Sequence, residues 1–495
     1  MKAHLKQLTS DSAVYGISNV LGRFVTFLLV PFYTNMLPRD EYGIVIVVYS
    51  WVAFLNAVFT FGLEPAYMRF VAGTDESRKS RVFSTAFFFI LVGGSTLAIL
   101  LLLFGDGIRG VLEIRDAWSA ILPLSLGMVV LDAANAIPFA ALRMEHRAKS
   151  FAAIKLTSIL INVSLNVLFL AFLHWSIVAI FISGLLASLS STLLLLPSIF
   201  SRARVGADRG LLRELLTYGL PTMPGAIAIM LIEIIDKPIM LKLTDAETVG
   251  VYGTNYKLGI FMMLVVTVFR YAWQPLYLQM SDNPEAKRLF ARVLTYFVFL
   301  GSAIVLILSL FMGDIVRIPL SADRTLIAAE YWAGLGIVPI VLFSYLLAGM
   351  AQILNAGLYI QKKTMIILYA TVTAAAVNVG VNLALIPSIG MYGGALATFA
   401  AYATLVVVYW FAGRRIYPTN WEIARLLRIG LALGIAGLLW YGVPAPDFLG
   451  QIVWKLCIVS VFFVAIGLGS FFTKREKEEL ANLFRPLRRQ QNRPK

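Results

Sequence analysis

Six basic side chains stand inside long apolar runs of this sequence: Arg23, Lys155, Lys237, Lys257, Arg270 and Lys455. Three acids share that setting, Asp132, Glu233 and Asp236, and Glu64 sits at the end of a run. A charge at the centre of a bilayer costs about 2.5–3.5 kcal/mol even on insertion scales, so such residues face a wet chamber, a partner or the interface. In a chamber, guanidinium and ammonium groups suit phosphate oxygens. Arg23 lies mid-run; it reads as a diphosphate contact or as half of a structural ion pair. Lys257 and Arg270 share one run, thirteen residues or roughly 20 Å apart along a helix. They cannot grip one phosphate together but can serve successive positions, and Lys257 can also extend outward. Lys237 follows Glu233 by four, the favoured order for a helical pair, with Asp236 beside it; the cluster is a gate or a local pair. Lys155 and Lys455, nearer run ends, read as snorkelling to water.

A carboxylate alone in an apolar run takes up protons, so Asp132 is a candidate for ion coupling; the plainer alternative pairs it with Arg23 or another base. Glu64, beside Pro65, is a gate at the cytoplasmic mouth or a helix-end residue. Asn255 and Gln274 are candidate sugar contacts, as are Trp273, Tyr252 and Tyr256 by stacking, although amides also join helices and aromatics also form interface belts. Asn162/Asn166 and Asn378/Asn382 recur at i, i+4, which favours packing. Three scattered histidines and a single cysteine, Cys457, give neither a metal site nor a disulfide framework. No Walker loop, paired-aspartate metal motif or HExxH motif is present, which argues against an enzyme.

The elements that must hold these residues are membrane helices. Hydrophobic residues make up 59% of the 495-residue chain and charged ones 14%, and mean hydropathy is +0.81. Such a chain cannot cover itself with polar groups. Apolar runs fall near 12–36, 43–63, 83–104, 118–142, 151–173, 176–199, 214–240, 251–279, 292–313, 331–357, 365–386, 390–412, 428–443 and 450–472. Continuous runs of this length predict an all-α polytopic membrane protein of about fourteen transmembrane helices, without a cleaved signal. The thirteenth run is short. Pro221, Pro224, Pro238 and Pro275 predict kinks or breaks in the seventh and eighth.

The net charge of +15 is not a nucleic-acid signature, because the bases sit in short loops between the runs. Thirty of the 42 Lys and Arg fall on the side holding both termini and six on the other. That asymmetry predicts cytoplasmic N- and C-termini. The basic tail 473–495 reads as a solvated end near anionic headgroups.

The chain repeats weakly at an offset of about 207 to 216 residues. Leu37-Pro38-Arg39-Asp40-Glu41-Tyr42-Gly43 matches Leu243 to Gly250, Glu64-Pro65-Ala66-Tyr67 matches Gln274-Pro275-Leu276-Tyr277, and the two Asn pairs match each other. Six intervening spans preserve orientation, so the repeat is parallel, about an axis along the membrane normal. The expected organisation is 1–200 for spans one to six, 213–413 for spans seven to twelve, 428–472 for two further spans, then the tail.

Leu37-Pro38 with Glu41-Tyr42-Gly43, Gly62-Leu63-Glu64-Pro65-Ala66 and Arg69-Phe70 resemble the start of polysaccharide flippases. Similar too are Tyr218-Gly219-Leu220-Pro221, Asp236-Lys237, Val249-Gly250-Val251-Tyr252, Ala272-Trp273-Gln274-Pro275, Asn378 with Asn382, and Gly393-Gly394-Ala395. The chain resembles the Wzx-type O-antigen and polysaccharide flippases of the multidrug/oligosaccharidyl-lipid/polysaccharide exporter superfamily, which is MATE-like. Where that family has Asp-Arg, this chain has Asp236-Lys237, keeping the charge without the bidentate fork.

The resemblance implies two six-helix lobes around a cavity lined by spans 1, 2, 7 and 8, working by alternating access in a bacterial inner membrane. It implies an oligosaccharide on undecaprenyl diphosphate as cargo, with a polysaccharide polymerase and a chain-length regulator as partners. It implies no cofactor beyond a coupling H+ or Na+, and a lipid groove along spans 13 and 14. The alternatives are a lipid II flippase, a multidrug or cation exporter of the same superfamily, and a membrane-embedded polymerase. Cavity candidates on spans 1, 7 and 8 include four bases against two acids, which favours an anionic cargo.

Overall fold

The computed structural model describes residue 16 and residues 20–204, 208–280, 283–443 and 448–468, with 471 and 476. Most of the basic tail and the start of the first apolar run lie outside the described residues.

Among the described residues thirteen helices are long and apolar enough to cross a membrane, and the shorter apolar helix Val20–Met36 precedes them. Together they match the fourteen runs, and we number them as spans in chain order. The fold is all-α and polytopic. The one exception is a small antiparallel hairpin, Pro319–Ser321 with Arg324–Thr325, in the loop before the tenth span. The thirteenth span is longer than its run: Ile423–Gly442 gains a basic first turn, where Arg425 pairs with Glu422 at 3.2 Å and Glu476 at 3.0 Å.

The chain groups into two compact units: 1–282 with 313–417, and 283–312 with 418–495. The smaller unit holds most of the ninth span with the thirteenth and fourteenth. Lys455 is buried there among Phe311 and Trp440, so it does not extend to water as expected. Its ammonium lies 5.6 Å from the Phe311 ring.

Helix breaks set the geometry of the site. In the first span the helix turns at Leu28 and resumes as Leu29–Met36. Pro31 is the cause: its ring crowds the carbonyl four residues back and it offers no N–H. The seventh span is Arg209–Gly219, a 3-10 turn at Leu220–Thr222 around Pro221, Met223–Ile234, then Asp236–Leu243. Its break at Ile235 lies three residues before Pro238, as expected. The eighth span is broken at Leu258-Gly259 between Ala246–Lys257 and Ile260–Gln279. Pro275 does not break it; the helix runs through that proline. Gly259 is required at the break because a β-carbon there would lie 2.5 Å from Val341 and 3.2 Å from Tyr345 of the tenth span, Ala329–Ile360.

The two Asn pairs share one local geometry. Asn166 donates to Asn162 O at 2.8 Å and Oδ1 at 3.2 Å; Asn382 donates to Asn378 O at 2.9 Å and Oδ1 at 3.0 Å. Asn166 also accepts from Tyr33 at 2.8 Å. Asn166, Asn378 and Asn382 are buried.

Candidate functional site

A cavity of about 690 Å³ lies within the larger unit. Its wall is mostly apolar, with Phe27, Val30, Phe139 and Ile260 among the lining residues. Four side chains of its lining are acids or bases that carry charge near neutral pH: Arg23, Lys155, Lys257 and Asp132. Three bases against one carboxylate give the chamber a positive excess.

Arg23 stands on the first span one turn before the Leu28 break, beside Gly22, whose missing side chain leaves room for Ile159. Its guanidinium donates to the Met263 sulfur at 3.1 Å. A thioether is a weak acceptor, and among the described residues Arg23 has no carboxylate partner. The expected alternative, a pair with Asp132, is absent. Asp132 accepts instead from Ser188 Oγ at 2.7 Å, across the fourth and sixth spans Asp116–Met144 and Val178–Arg202.

Lys257 is the last residue of its half-helix. Its ammonium donates to Tyr42 Oη at 3.0 Å, and Tyr42 is fully buried on the second span, Arg39–Val71. It therefore ties the eighth span to the second. Lys155 belongs to the fifth span, Ala148–Phe172, and its ammonium rests 4.4 Å from the Phe139 ring centre inside the cavity. Lys155 is exposed, and the space it opens on is the cavity. The helix begins at Ala148, so Lys155 is seven residues in, about 10 Å along the axis.

The other charged candidates are placed elsewhere. Lys237 is buried and donates to Asp236 Oδ1 at 2.8 Å. Asp236, wholly buried, also accepts from Tyr252 Oη and from the Lys237 backbone N–H at 3.0 Å. The expected side-chain pair of Glu233 with Lys237 does not form. The helix break at Ile235 diverts the Lys237 N–H to Asp236, which leaves the Glu233 carbonyl free, and the Lys237 ammonium takes that carbonyl at 2.8 Å. The Glu233 carboxylate accepts from Tyr345 at 3.1 Å and from Tyr402. Lys237 also lies 4.0 Å from the centre of the Tyr256 ring. This cluster abuts the cavity only through Tyr256 and Tyr345, which line both. Glu64 forms an ion pair with Arg143. Arg270 is exposed, 5.7 Å from its neighbour Tyr271, and is not in the cavity wall.

Of the sugar-contact candidates, only Tyr256 lines the cavity. Asn255 is buried and donates to Tyr331 O at 2.8 Å and Val251 O at 2.9 Å. Trp273 is buried and donates to Gln352 O at 3.1 Å. Tyr252 is buried in the Asp236 cluster, and Gln274 is exposed away from the cavity. The cavity has its own amides, Asn56 and Asn135, each with a buried Oδ1 that has no partner among the described residues. The expected wall of spans 1, 2, 7 and 8 is also corrected: spans 4, 5, 6 and 10 contribute, and among the described residues none of span 7 does.

The second and eighth spans touch at Gly43 and Gly250, where added side chains would strike the carbonyl oxygens of Ala246 and Arg39. Around them Arg39 pairs with Glu247 at 2.5 Å and Tyr331 Oη donates to Leu37 O at 3.0 Å. Toward the other end of the second span, Gly62, with φ +66°, meets Gly219 of the seventh span backbone to backbone.

Residues 34–323, more than half of the chain, match the family model described as polysaccharide biosynthesis protein. No curated protein matches the chain in sequence. Among solved structures, the lipid II flippase MurJ in an inward closed conformation aligns over 92% of this chain and 98% of its own, with TM-score 0.73 and 15% identity. A multidrug resistance MATE transporter of the MOP superfamily, facing inward, aligns over 80% of this chain and 94% of its own, with TM-score 0.66 and 13% identity. A MATE structure in complex with MaD3S aligns over 82% and 95%, with TM-score 0.60 and 13% identity. The fold is MurJ- and MATE-like.

Proposed function

The chain belongs to the family of polysaccharide biosynthesis proteins, and from that premise we propose that it is a membrane flippase rather than an enzyme. Its cargo in this reading is an oligosaccharide on undecaprenyl diphosphate, turned from the inner to the outer leaflet of a bacterial cytoplasmic membrane by alternating access. One observation carries the reading: Arg23 stands in an intramembrane cavity with two lysines and a single carboxylate, and a sulfur is the acceptor it has found. Three deep bases need an anion in that chamber, and an amphiphilic diphosphate supplies one. The unpartnered amide oxygens of Asn56 and Asn135 suit the hydroxyl groups of a sugar.

The excess of basic loops on one side supports cytoplasmic termini. Contacts at both ends of the second span supply elements that would part in turn as the two repeats rock. A cation exporter fits the cavity poorly, because one acid faces three bases. A lipid II flippase shares the diphosphate and differs in the sugar; the likeness to MurJ keeps that second reading in view.

Reconstitution into liposomes with lipid-linked sugar tests the site. Arg23→Ala should abolish appearance of the sugar in the opposite leaflet, while insertion and expression persist. Arg23→Lys should keep part of the activity. Full transport by Arg23→Ala would remove Arg23 from the site.

A further inference from the structure

Lys155 and Asp132 line one cavity, and Lys155 packs on Phe139 of the span that carries Asp132, yet the two charges form no ion pair. Asp132 is engaged by Ser188 at 2.7 Å, and Ser188 also accepts from Asn135 through its carbonyl at 3.4 Å. Lys155 rests on the Phe139 ring. A ring face is a weak holding place for an ammonium compared with an anionic oxygen. The other charges acting on Lys155 are Glu64 and Arg143, which are paired to each other.

We propose that Lys155 is a specificity-determining ligand of the diphosphate head, acting with Arg23, and that Asp132 is the counter-charge that sets how strongly the head is held. This rests on the flippase reading above. Lys257 differs from the other two bases because Tyr42 holds it at 3.0 Å, so it bridges spans while Arg23 and Lys155 are ready to turn to a ligand. The charge of the lining follows: Arg23, Lys155 and Lys257 less Asp132 leave two positive charges. A diphosphate diester carries two negative charges and a monophosphate diester one. The chamber as built neutralises the first. Without Asp132 it would hold an excess positive charge and release the head slowly. Without Lys155 it would match a monophosphate. A low-dielectric wall strengthens this matching.

The test measures binding of a short-chain isoprenyl diphosphate sugar, and of the matching monophosphate sugar, to the full chain in nanodiscs. Lys155→Met should weaken the diphosphate about tenfold, as for a lost charged hydrogen bond, and the monophosphate much less. Lys155→Gln serves as a second variant should the first fold poorly. Asp132→Asn, which retains an oxygen for Ser188, should tighten the diphosphate. The double variant Lys155→Met/Asp132→Asn restores two positive charges and should recover much of the lost affinity. Equal affinities for wild type and Lys155→Met would overturn the proposal, as would a double variant no better than Lys155→Met alone. A wild-type protein that binds neither probe would instead sink the flippase reading itself.

Discussion

Gly43 and Gly250, separated by 207 residues and equivalent in the repeat, pack against each other where the second and eighth spans cross. The contact is reciprocal. A β-carbon on Gly43 would collide with the carbonyl of Ala246, and one on Gly250 with the carbonyl of Arg39, itself the repeat equivalent of Ala246. The reciprocal collision leaves no room for a side chain at either position.

Gly43→Ala or Gly250→Ala should therefore force two backbones apart. Overpacking of this kind costs about 1–3 kcal/mol, and the apparent Tm of the purified protein should fall by several degrees. Gly380 has nothing within 4 Å of an added β-carbon. Gly380→Ala should be neutral or slightly stabilising, since alanine favours helix by up to about 1 kcal/mol. Equal melting of all three variants would contradict the tight crossing.

Lys237 answers a buried carboxylate rather than a cargo. Lys237→Met leaves the buried Asp236 uncompensated, which costs about 3–5 kcal/mol. Monodisperse protein should be lost on size-exclusion chromatography. Asp236→Asn in the same chain should restore it. Failure of that rescue would mean that the pair at 2.8 Å is not what holds the region together.

Asn255 should affect stability and leave cargo alone. Its amide joins the eighth span to the Tyr331 carbonyl at 2.8 Å. Asn255→Leu removes that bond, at a cost of about 0.5–1.5 kcal/mol. Transport per folded molecule should match wild type. A changed preference between sugars in Asn255→Leu would reinstate it as a cargo contact.

The spans were legible because their apolar runs are long, and the helix breaks near Ile235 and Thr222 because proline announces them. Charges inside the bilayer were legible as a set. Their directions were not. Helices that are apolar nearly all round carry no face for sequence to read, so Arg23 and Arg270 look alike until the fold turns one into the cavity and the other away. The place of Lys155 in the cavity wall was hidden because its helix starts before its apolar run does: Ala148, Lys149 and Ser150 lengthen it. Glu233 and Lys237 look paired at i, i+4, but that spacing presumes a continuous helix, and the break at Ile235 hands the lysine to Asp236. Asn255 and Trp273 look free to bind sugar only while the backbone carbonyls of Tyr331 and Gln352 are unplaced.

The central claim is that a cationic chamber within a MurJ- and MATE-like fold accepts a lipid diphosphate head. The most direct measurement is the rate at which proteoliposomes bearing the wild-type chain expose a fluorescent undecaprenyl-diphosphate oligosaccharide to an external quencher, beside a cationic dye carried in the same vesicles. The expected result is rapid quenching of the lipid-linked sugar, slowed to the protein-free rate by Arg23→Ala, and no protein-dependent dye movement. Protein-dependent efflux of the dye, with the lipid-linked sugar left in its original leaflet, would contradict it.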